Sequence, residues 1–353
     1  MSLPGLDQPF VVGSIKTPVG DVPQVSASLL WADRVGTCRV RCNMGRMVYT
    51  VDPGLYALGT PDENAPVLVT ANYKLSFDKL REALPNRDAW VLALDTRGIN
   101  VWCAAGKGTF GTTELVRRIE SSDLARIVAH RELILPQLGG PGIAAHLVKK
   151  LSGFRVIYGP IRAVDLSPFL DAKLKATQEM RLKTFTTVER LVLIPVELVS
   201  ALKGAIITLV ILFILSGLLG PAGFWTNLSG YGLFAGLAIL AAVAAGAVLT
   251  PLLLPWLPGR AFSVKGLALG LAVSLIMVAV KWGNLGTWEG RLELGAWFLL
   301  IPALAAYLAM NFTGASTYTS LSGVRREMHW AVPLEIGAGI AGLGLWFSAL
   351  IIA

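Results

Sequence analysis

Between residue 191 and the last residue given, charged side chains almost vanish from stretches long enough to cross a bilayer. No other feature of the chain limits its fold as strongly. Crossing as a helix takes roughly 17–25 predominantly apolar residues. Five such runs occur, at residues 198–219, 230–249, 264–281, 294–310 and 334–352. Hydrocarbon offers no water to backbone N–H and C=O groups, so each run must close its hydrogen bonds within itself as a helix. The expected second half is an all-α transmembrane domain of five helices, residues 191–353. Residues 1–190 carry most of the charges and read as a water-soluble domain.

Basic residues set the expected orientation. Lys173, Lys175, Arg181, Lys183 and Arg190 precede the first span, Arg260 and Lys265 flank the second connection, and Arg325 and Arg326 lie in the fourth. The first connection is uncharged, and in the third Arg291 faces Glu289 and Glu293. Lys and Arg favour the cytoplasmic side of a membrane. The reading is therefore a multi-pass protein of the cytoplasmic (inner) membrane, with the N-terminal domain inside and the C-terminus outside. The net charge of +8 then reflects topology and a lipid bilayer as partner, with no nucleic acid implied. Trp225, Trp256, Trp282 and Trp288 fall near span ends, where interfacial aromatics belong. The opening "MSLPGLDQPF" has neither a basic start nor an apolar core, so no cleavable signal peptide is expected. Cys38, Cys42 and Cys103 all fall in the cytoplasmic part, where thiols stay reduced.

Within residues 1–190, apolar β-rich runs alternate with helical patterns. "APVLVTANY", "AWVLALD", "INVWC", "ELILPQ" and "GFRVIYG" read as strands. "SFDKLREAL", "TTELVRRIE" with Thr112 as its N-cap, and "PGIAAHLVKKLSG" closed by Gly153 read as helices. Such alternation predicts an α/β, Rossmann-like layer fold with a mostly parallel sheet. Ligands of such sheets sit beyond the carboxyl ends of the strands. "TANY" with Thr70 and Asn72, "NVWCAAGKGT", "LPQLGGPG" with Gly139 and Gly140, and "YGP" are therefore the places to look.

"GINVWCAAGKGTFGT", residues 98–112, carries the most chemistry. A phosphate loop fits poorly, with Val101 in place of the first glycine and Gly108 in place of the hydroxyl residue. A catalytic thiol would need an activating base or cation, for which His130 and His146 are the sequence candidates. A third reading makes Cys103 a ligand to a planar metal cofactor, with the small residues after it letting backbone approach a broad macrocycle. The structural alternative is a buried strand-end cysteine.

The stretch Asn100, Val101, Trp102, Cys103, Ala104, Ala105, Gly106, Lys107 resembles, without a departure, the signature N-[VI]-W-C-A-[AG]-G-K. That signature is the mark of the HgcA family, membrane-anchored corrinoid proteins of microbial mercury methylation. The likeness covers most of the chain: a corrinoid domain related to the large subunit of the corrinoid iron–sulfur protein, then five spans. "NFTGASTYTSLSGV", residues 311–324, also resembles a segment of these proteins.

The resemblance implies a corrinoid (cobalamin) cofactor whose cobalt takes Cys103 as lower axial ligand, on a cap helix starting near Trp102. It implies that Asn100 and Trp102 position that helix, that Ala104, Ala105 and Gly106 leave the corrin face unobstructed, and that Val101, Gly108 and Thr109 belong to the same cofactor-contacting stretch. Lys107 would reach a corrin side-chain amide or stand as a solvated helix charge. It further implies corrinoid-dependent methyl transfer to Hg(II), the methyl leaving cobalt as something close to a carbanion, with a thiolate opposite as a strong donor. Returning cobalt to its lowest state needs electrons, and three cysteines cannot supply a ferredoxin-type cluster. The implied partner is HgcB, a ferredoxin-like two-cluster iron–sulfur protein. The implied methyl source is a methyl-donor protein or methyltetrahydrofolate. The alternative is a membrane-bound corrinoid methyltransferase acting on another soft metal, metalloid or thiol; a non-enzymatic anchor or sensor with a structural Cys103 is the third reading.

The remaining candidates read as structural. Cys38 and Cys42 lack the further ligands of a zinc site, although soft thiolates suit mercury. His130, His146 and His329 lie in ordinary strand, helix and interfacial contexts. Glu197 and Lys203 snorkel at a span end. The spans are expected to hold no buried acidic chain, which argues against ion or mercury transport.

Overall fold

The computed structural model describes residues 3–315 and 321–352. The chain divides into two compact units, Met1–Val40 with Met44–Lys183 and Arg41–Asn43 with Thr184–Ala353.

The first unit is built on a mixed sheet of seven strands: β1 (Val11–Thr17), β2 (Gly20–Val25), β3 (Gly54–Leu58), β4 (Val67–Ala71), β5 (Ala89–Leu94), β6 (Glu132–Leu135) and β7 (Arg155–Tyr158). Their order is β1-β2-β3-β5-β4-β6-β7. The expected parallel sheet is present from β5 to β7, where every neighbouring pair is parallel. The other edge departs from it, because β1 pairs antiparallel with β2 and β3 antiparallel with β5.

Alternation explains why these runs became central strands. Leu55, Ala57, Val67, Val69, Trp90 and Leu92 bury into one face. Tyr56, Leu58, Leu68, Val91 and Ala93, their sequence neighbours, bury into the other. With both faces covered, the strands are continuously apolar. One face takes helices α3 (Val101–Lys107), α4 (Thr112–Ser121) and α5 (Ala145–Ser152); the opposite face takes α2 (Lys74–Glu82) and α6 (Leu166–Asp171). Each large side chain such as Phe77, Phe110 or Phe169, fully buried here, contributes about 1.5–3 kcal/mol.

A further helix, α1 (Trp31–Arg41), precedes β3 and is tied to α2 by charge. Lys74 Nζ donates to Asp33 at 2.6 Å and to Asp78 at 2.7 Å, while Arg81 reaches Asp33 at 2.7 Å and Asp78 at 2.9 Å. All four side chains are buried, and two carboxylates balance two cations. Burial alone would raise the Asp33 carboxyl. The hydrogen bonds from Lys74, the Leu30 amide and Arg81 outweigh it and hold the group below the usual carboxylate range. Tyr49, partly buried beside this cluster, is pushed up to about 12 by desolvation and then by the Asp78 and Asp33 charges.

Three local readings need correction. "INVWC" is not a strand: residues 101–103 open α3, because Asn100 caps a helix there. The N-cap of α4 is Gly111, and Thr112 instead accepts the Ala144 N–H on its Oγ1 at 2.8 Å, tying α4 to α5. Pro141 and Gly142 end a 3-10 turn, Gln137–Gly142, so α5 begins only at Ala145; its closure by Gly153, with φ at 78°, is as read.

The second unit contains five helices long and apolar enough to cross a membrane: α7 (Thr187–Leu219), α8 (Phe224–Leu253), α9 (Phe262–Val280), α10 (Trp288–Asn311) and α11 (Ser322–Ile352). Small residues bring two of them close together. A Cβ on Gly270 of α9 would fall 2.5 Å from the Pro302 Cα of α10, and one on Gly266 would fall 2.5 Å from the Ala305 carbonyl oxygen. Apolar helices in lipid gain little from hydrophobicity against one another, so close packing of this kind holds them.

The expectation of no buried acidic chain is overturned. Glu327 is buried and accepts the Ser263 N–H at 2.6 Å, and buried Glu293 pairs with Lys281 at 2.9 Å. Glu335 has both carboxylate oxygens buried. Residues 316–320 of the segment 311–324 lie outside the described residues.

Candidate functional site at the carboxyl edge of the sheet

β4 lies between β5 and β6, and the chain leaves these two neighbouring strands, β4 and β6, by opposite faces: α2 leads from β4 to β5 on one face, and α5 leads from β6 to β7 on the other. The carboxyl ends of β4 and β6 therefore flank the topological switch point, where doubly wound sheets open a crevice. A cavity of about 100 Å³ lies there, lined by Thr70 from β4, Ser76, Val101 from α3, Pro136, Pro160 and Leu166.

β5 ends at Leu94, and a turn then aims the chain into α3. Asn72, 5% exposed, holds that turn. Its Oδ1 accepts from the Thr96 N–H at 3.0 Å, the Thr96 hydroxyl at 2.9 Å and the Gly98 N–H at 3.2 Å. Gly98 adopts φ of 70°, and a Cβ there would fall 2.9 Å from the Met47 carbonyl oxygen. Asn100 then starts the helix, its side chain accepting the Cys103 N–H at 2.9 Å. The signature asparagine thus fixes the backbone of the signature cysteine.

Cys103 is partly exposed in the first turn of α3, and Trp102 beside it is 40% exposed. Ala104 and Ala105 face the other way, at 0% and 5% exposure, into the core. They let α3 sit on the turn that contains Gly142, whose added Cβ would lie 3.1 Å from the Ala105 Cα. Gly106, Lys107 and Gly108 are exposed; a Cβ on either glycine would meet nothing within 4 Å. Gly108 ends the helix at φ of 79°, and Thr109 donates its N–H back to the Ala104 carbonyl at 3.0 Å.

α3 thus has one packed face of alanines and one open face of Cys103 and glycine. Gly139 is buried where a Cβ would fall 2.5 Å from the Phe110 ring, so it is required by packing; Gly140 meets Tyr158 at an ordinary 3.6 Å. Burial raises the Tyr158 phenol, whose hydroxyl donates to the Ile143 carbonyl at 3.0 Å and fastens this turn.

Other candidates separate from the site. His130 is held by the Ala65 carbonyl at Nε2 and the Glu132 N–H at Nδ1, at the opposite edge of the sheet. A larger depression of about 530 Å³ lies at that edge, but Arg87 and Asp88 in it are already engaged by Asp171 and by the Thr60 N–H. His146 is exposed on α5. Cys38 lies on α1 and Cys42 just beyond its end; among the described residues no three of His, Cys, Asp and Glu gather as a metal site.

Sequence reasoning missed the segment 44–51. Its Thr50 bridges Tyr73, and its Val51 N–H donates to the Asn72 carbonyl, placing it against the carboxyl end of β4. It presents exposed Met44, Met47 and Val48. The available signal was the string "NMGRMV", two methionines and a valine around a glycine just ahead of a strand.

Comparison with known proteins finds relatives of about a third of the chain. The chain is 35% identical over 123 residues to the acetyl-CoA decarbonylase/synthase complex subunit gamma of Methanopyrus kandleri, covering 34% of this chain and 26% of that one. It is 37% identical over 123 residues to subunit gamma 2 of that complex in Methanosarcina thermophila, covering 33% and 25%. The corrinoid/iron-sulfur protein large subunit of Moorella thermoacetica is 28% identical over 126 residues, covering 35% and 28%. The match spans only about a quarter of the length of these relatives. Residues 45–161, which include β3 to β7, α3 and all but the first residue of the overlooked segment, match the family of the CO dehydrogenase/acetyl-CoA synthase delta subunit.

Proposed function

We propose that this chain binds a corrinoid at the carboxyl edge of its sheet and transfers a methyl group to Hg(II), with the Cys103 thiolate as lower axial ligand of the cobalt. The observation that carries the reading is the position of Cys103. It stands on the open face of a helix whose start is fixed by Asn100, inside residues 45–161, which match the family of the CO dehydrogenase/acetyl-CoA synthase delta subunit.

The residues present suit such a group. The exposed face of α3 is free of side-chain bulk at Gly106 and Gly108, and Cys103 is the one thiol on that helix. When bound, a corrinoid supplies a cobalt-held methyl group that can leave with its bonding electrons toward a soft electrophile. Cys103 would hold the cobalt through its sulfur, a soft donor. Asn100 holds the thiol's backbone through the amide it accepts, while buried Ala104 and Ala105 keep α3 seated on the sheet. Asn72 keeps the preceding turn from shifting. Exposed Met47, Val48 and Trp102 would offer apolar surface to a broad ring.

Hg(II) is the substrate, and it suits a carbanion-like methyl because both are soft. Three cysteines, one of them committed to cobalt, leave too few for an iron–sulfur cluster. Electrons therefore come from a separate ferredoxin-like two-cluster protein such as HgcB. The methyl group comes from a donor protein or methyltetrahydrofolate. The five apolar helices hold the site at the cytoplasmic membrane, with the α/β unit inside.

The test is the anaerobic visible spectrum and cobalt content of the full chain, wild type beside Cys103→Ala, followed by product analysis with Hg(II) and reduced partner. The expected result is a corrinoid in both proteins, a spectrum that changes when the thiol is lost, and methylmercury from the wild type alone. An unchanged spectrum removes the axial thiolate, and absence of cobalt after supply of cofactor removes the corrinoid reading.

A further inference from the structure

A surface helix of a soluble domain turns its polar side outward, and α1 does the reverse. Its inward side carries the buried Asp33, bonded to Lys74 and Arg81, and the buried Val40, with Gly36 backed against the Tyr49 ring. Trp31, Val35 and Cys38 follow one another at steps of four and three residues, which puts them in one stripe. At 3.6 residues per turn that stripe is opposite the buried one. Trp31 is 79% exposed, Val35 38%, and Cys38 is exposed as well. Leu30, just before the helix, adds to the exposed apolar surface.

The charge around this stripe has one sign. Residues 26–51 include Arg34, Arg39, Arg41 and Arg46 but a single acid, Asp33. Asp33 is neutralised inside the buried cluster, where two carboxylates meet two cations, so the charge that the stretch presents is positive. Arg34 and Arg39 are exposed and flank the apolar stripe on its two sides. Among the described residues no carboxylate pairs with either.

The course of the chain says what meets this face. Arg41, the last residue of α1, donates from Nη1 to the Val192 carbonyl at 3.3 Å, and Asn43 Nδ2 donates to the Ser200 hydroxyl at 2.9 Å. Both bonds lie within the second unit, which takes in Arg41–Asn43. Ser200 stands about 29 Å from Leu219, the far end of α7, at 1.5 Å per residue. That matches the ~30 Å hydrocarbon core, so Ser200 marks the headgroup boundary of the first span. The last turn of α1 is fastened at that level, and Trp31 is about 15 Å further along the same helix.

We infer that α1 lies on the bilayer that the chain itself crosses, with Trp31 and Val35 seated at the headgroup level of anionic phospholipid and Arg34 and Arg39 beside its phosphates. An apolar stripe carrying tryptophan, bordered by arginines whose stems extend over lipid, is the composition of a helix in the interface plane. Arginines near an anionic leaflet are each attracted to it. A second copy of the chain would instead set like charges against one another. Asp33 joins α1 to α2, which follows the carboxyl end of β4, so a hold on α1 is a hold on the edge that carries the candidate site.

The test uses the full chain without corrinoid, so its outcome is independent of the methyl-transfer reading. The chain is placed in nanodiscs of phosphatidylcholine alone, or of phosphatidylcholine and phosphatidylglycerol in equal parts, and hydroxyl-radical footprinting is read by mass spectrometry. Trp31 reports the face, and exposed His146 on α5 is the reference. The expected result is Trp31 oxidation about tenfold slower in the anionic discs, from several arginines each drawn to the surface, with high salt restoring it. Arg34→Gln with Arg39→Gln, at exposed positions outside the candidate site, should bring the two discs within about twofold. Equal oxidation of wild-type Trp31 in the two discs would overturn the inference, as would a slowing that the double variant keeps. Protection already present in detergent and rising with protein concentration would assign the face to a second copy and overturn it too.

Discussion

Gly106→Ala separates a helix built for its own stability from one built to receive a ligand. Gly106 lies inside α3, is exposed, and has nothing within 4 Å of where a Cβ would stand. Glycine in a helix costs about 0.5–1 kcal/mol relative to alanine through lost backbone entropy. α3 has only seven residues, too few to persist without its capping and packing. In the ligand-free protein the substitution should therefore stabilise α3 by about 0.5–1 kcal/mol, slowing amide exchange from 103 to 108 by roughly two- to fivefold. Corrinoid binding should move the other way, because the new methyl group projects from the face that Cys103 shares. Hydrogen–deuterium exchange by mass spectrometry and an anaerobic corrinoid titration on the same preparation read both effects. Slower exchange with unchanged corrinoid affinity would show that no ring approaches this face. Faster exchange would mean that the open space beside Gly106 has been misread.

Two further substitutions probe what holds the site. Asn100→Ala removes the acceptor for the Cys103 N–H, and should cost about 1 kcal/mol of local stability. Asn100→Asp keeps an acceptor and should restore the protection of that amide, and equal exchange in the two variants would refute the cap. Asp33→Asn leaves Lys74 and Arg81 with a single carboxylate between them; at neutral pH it should cost about 3–5 kcal/mol, as for other broken buried ion pairs. The Asp33 carboxyl is lowered in the fold. Its contribution is therefore complete above the ordinary carboxylate value and is lost as pH falls through the lowered one. Urea denaturation from pH 7 to pH 3 should show the gap between wild type and variant narrowing in acid, and a constant gap would remove the ionic account.

The parallel half of the sheet was readable because β4, β5 and β6 are buried on both faces and had to be continuously apolar. The antiparallel edge was not, because β1 is largely exposed and shows no such run. β3 is wholly buried and as long as β4, but the helix that crosses to it from β2, α1, is mostly exposed and has only Asp33 and Val40 buried, so no inward apolar stripe announced it. The spans were readable because bilayer thickness imposes a length that soluble helices do not need. Their buried acids were not. Glu293 and Glu327 sit just outside the apolar windows, and the sequence gives no indication that Lys281 or the Ser263 amide will meet them.

The reading of "INVWC" as a strand has a physical cause that bears on function. Ile99, Val101 and Trp102 have β-favouring side chains, and intrinsic preference alone would extend them. Asn100 reverses that outcome by accepting an amide three residues on, and the alanines and glycines that follow give a helix small enough to lie against the sheet. Those residues do different work from what their size suggested. Ala104 and Ala105 are small on the packed side, where the 3-10 turn around Gly142 comes close. Only Gly106 and Gly108 are small toward open space. A motif of small residues therefore holds two constraints on opposite faces of one short helix, close packing beneath and clearance above. Enlarging a residue on either face should fail for a different reason. An alanine-to-leucine change at 104 should unseat α3 and lower stability in the ligand-free protein. The change at Gly106 should spare the fold and tell only when a ring is offered.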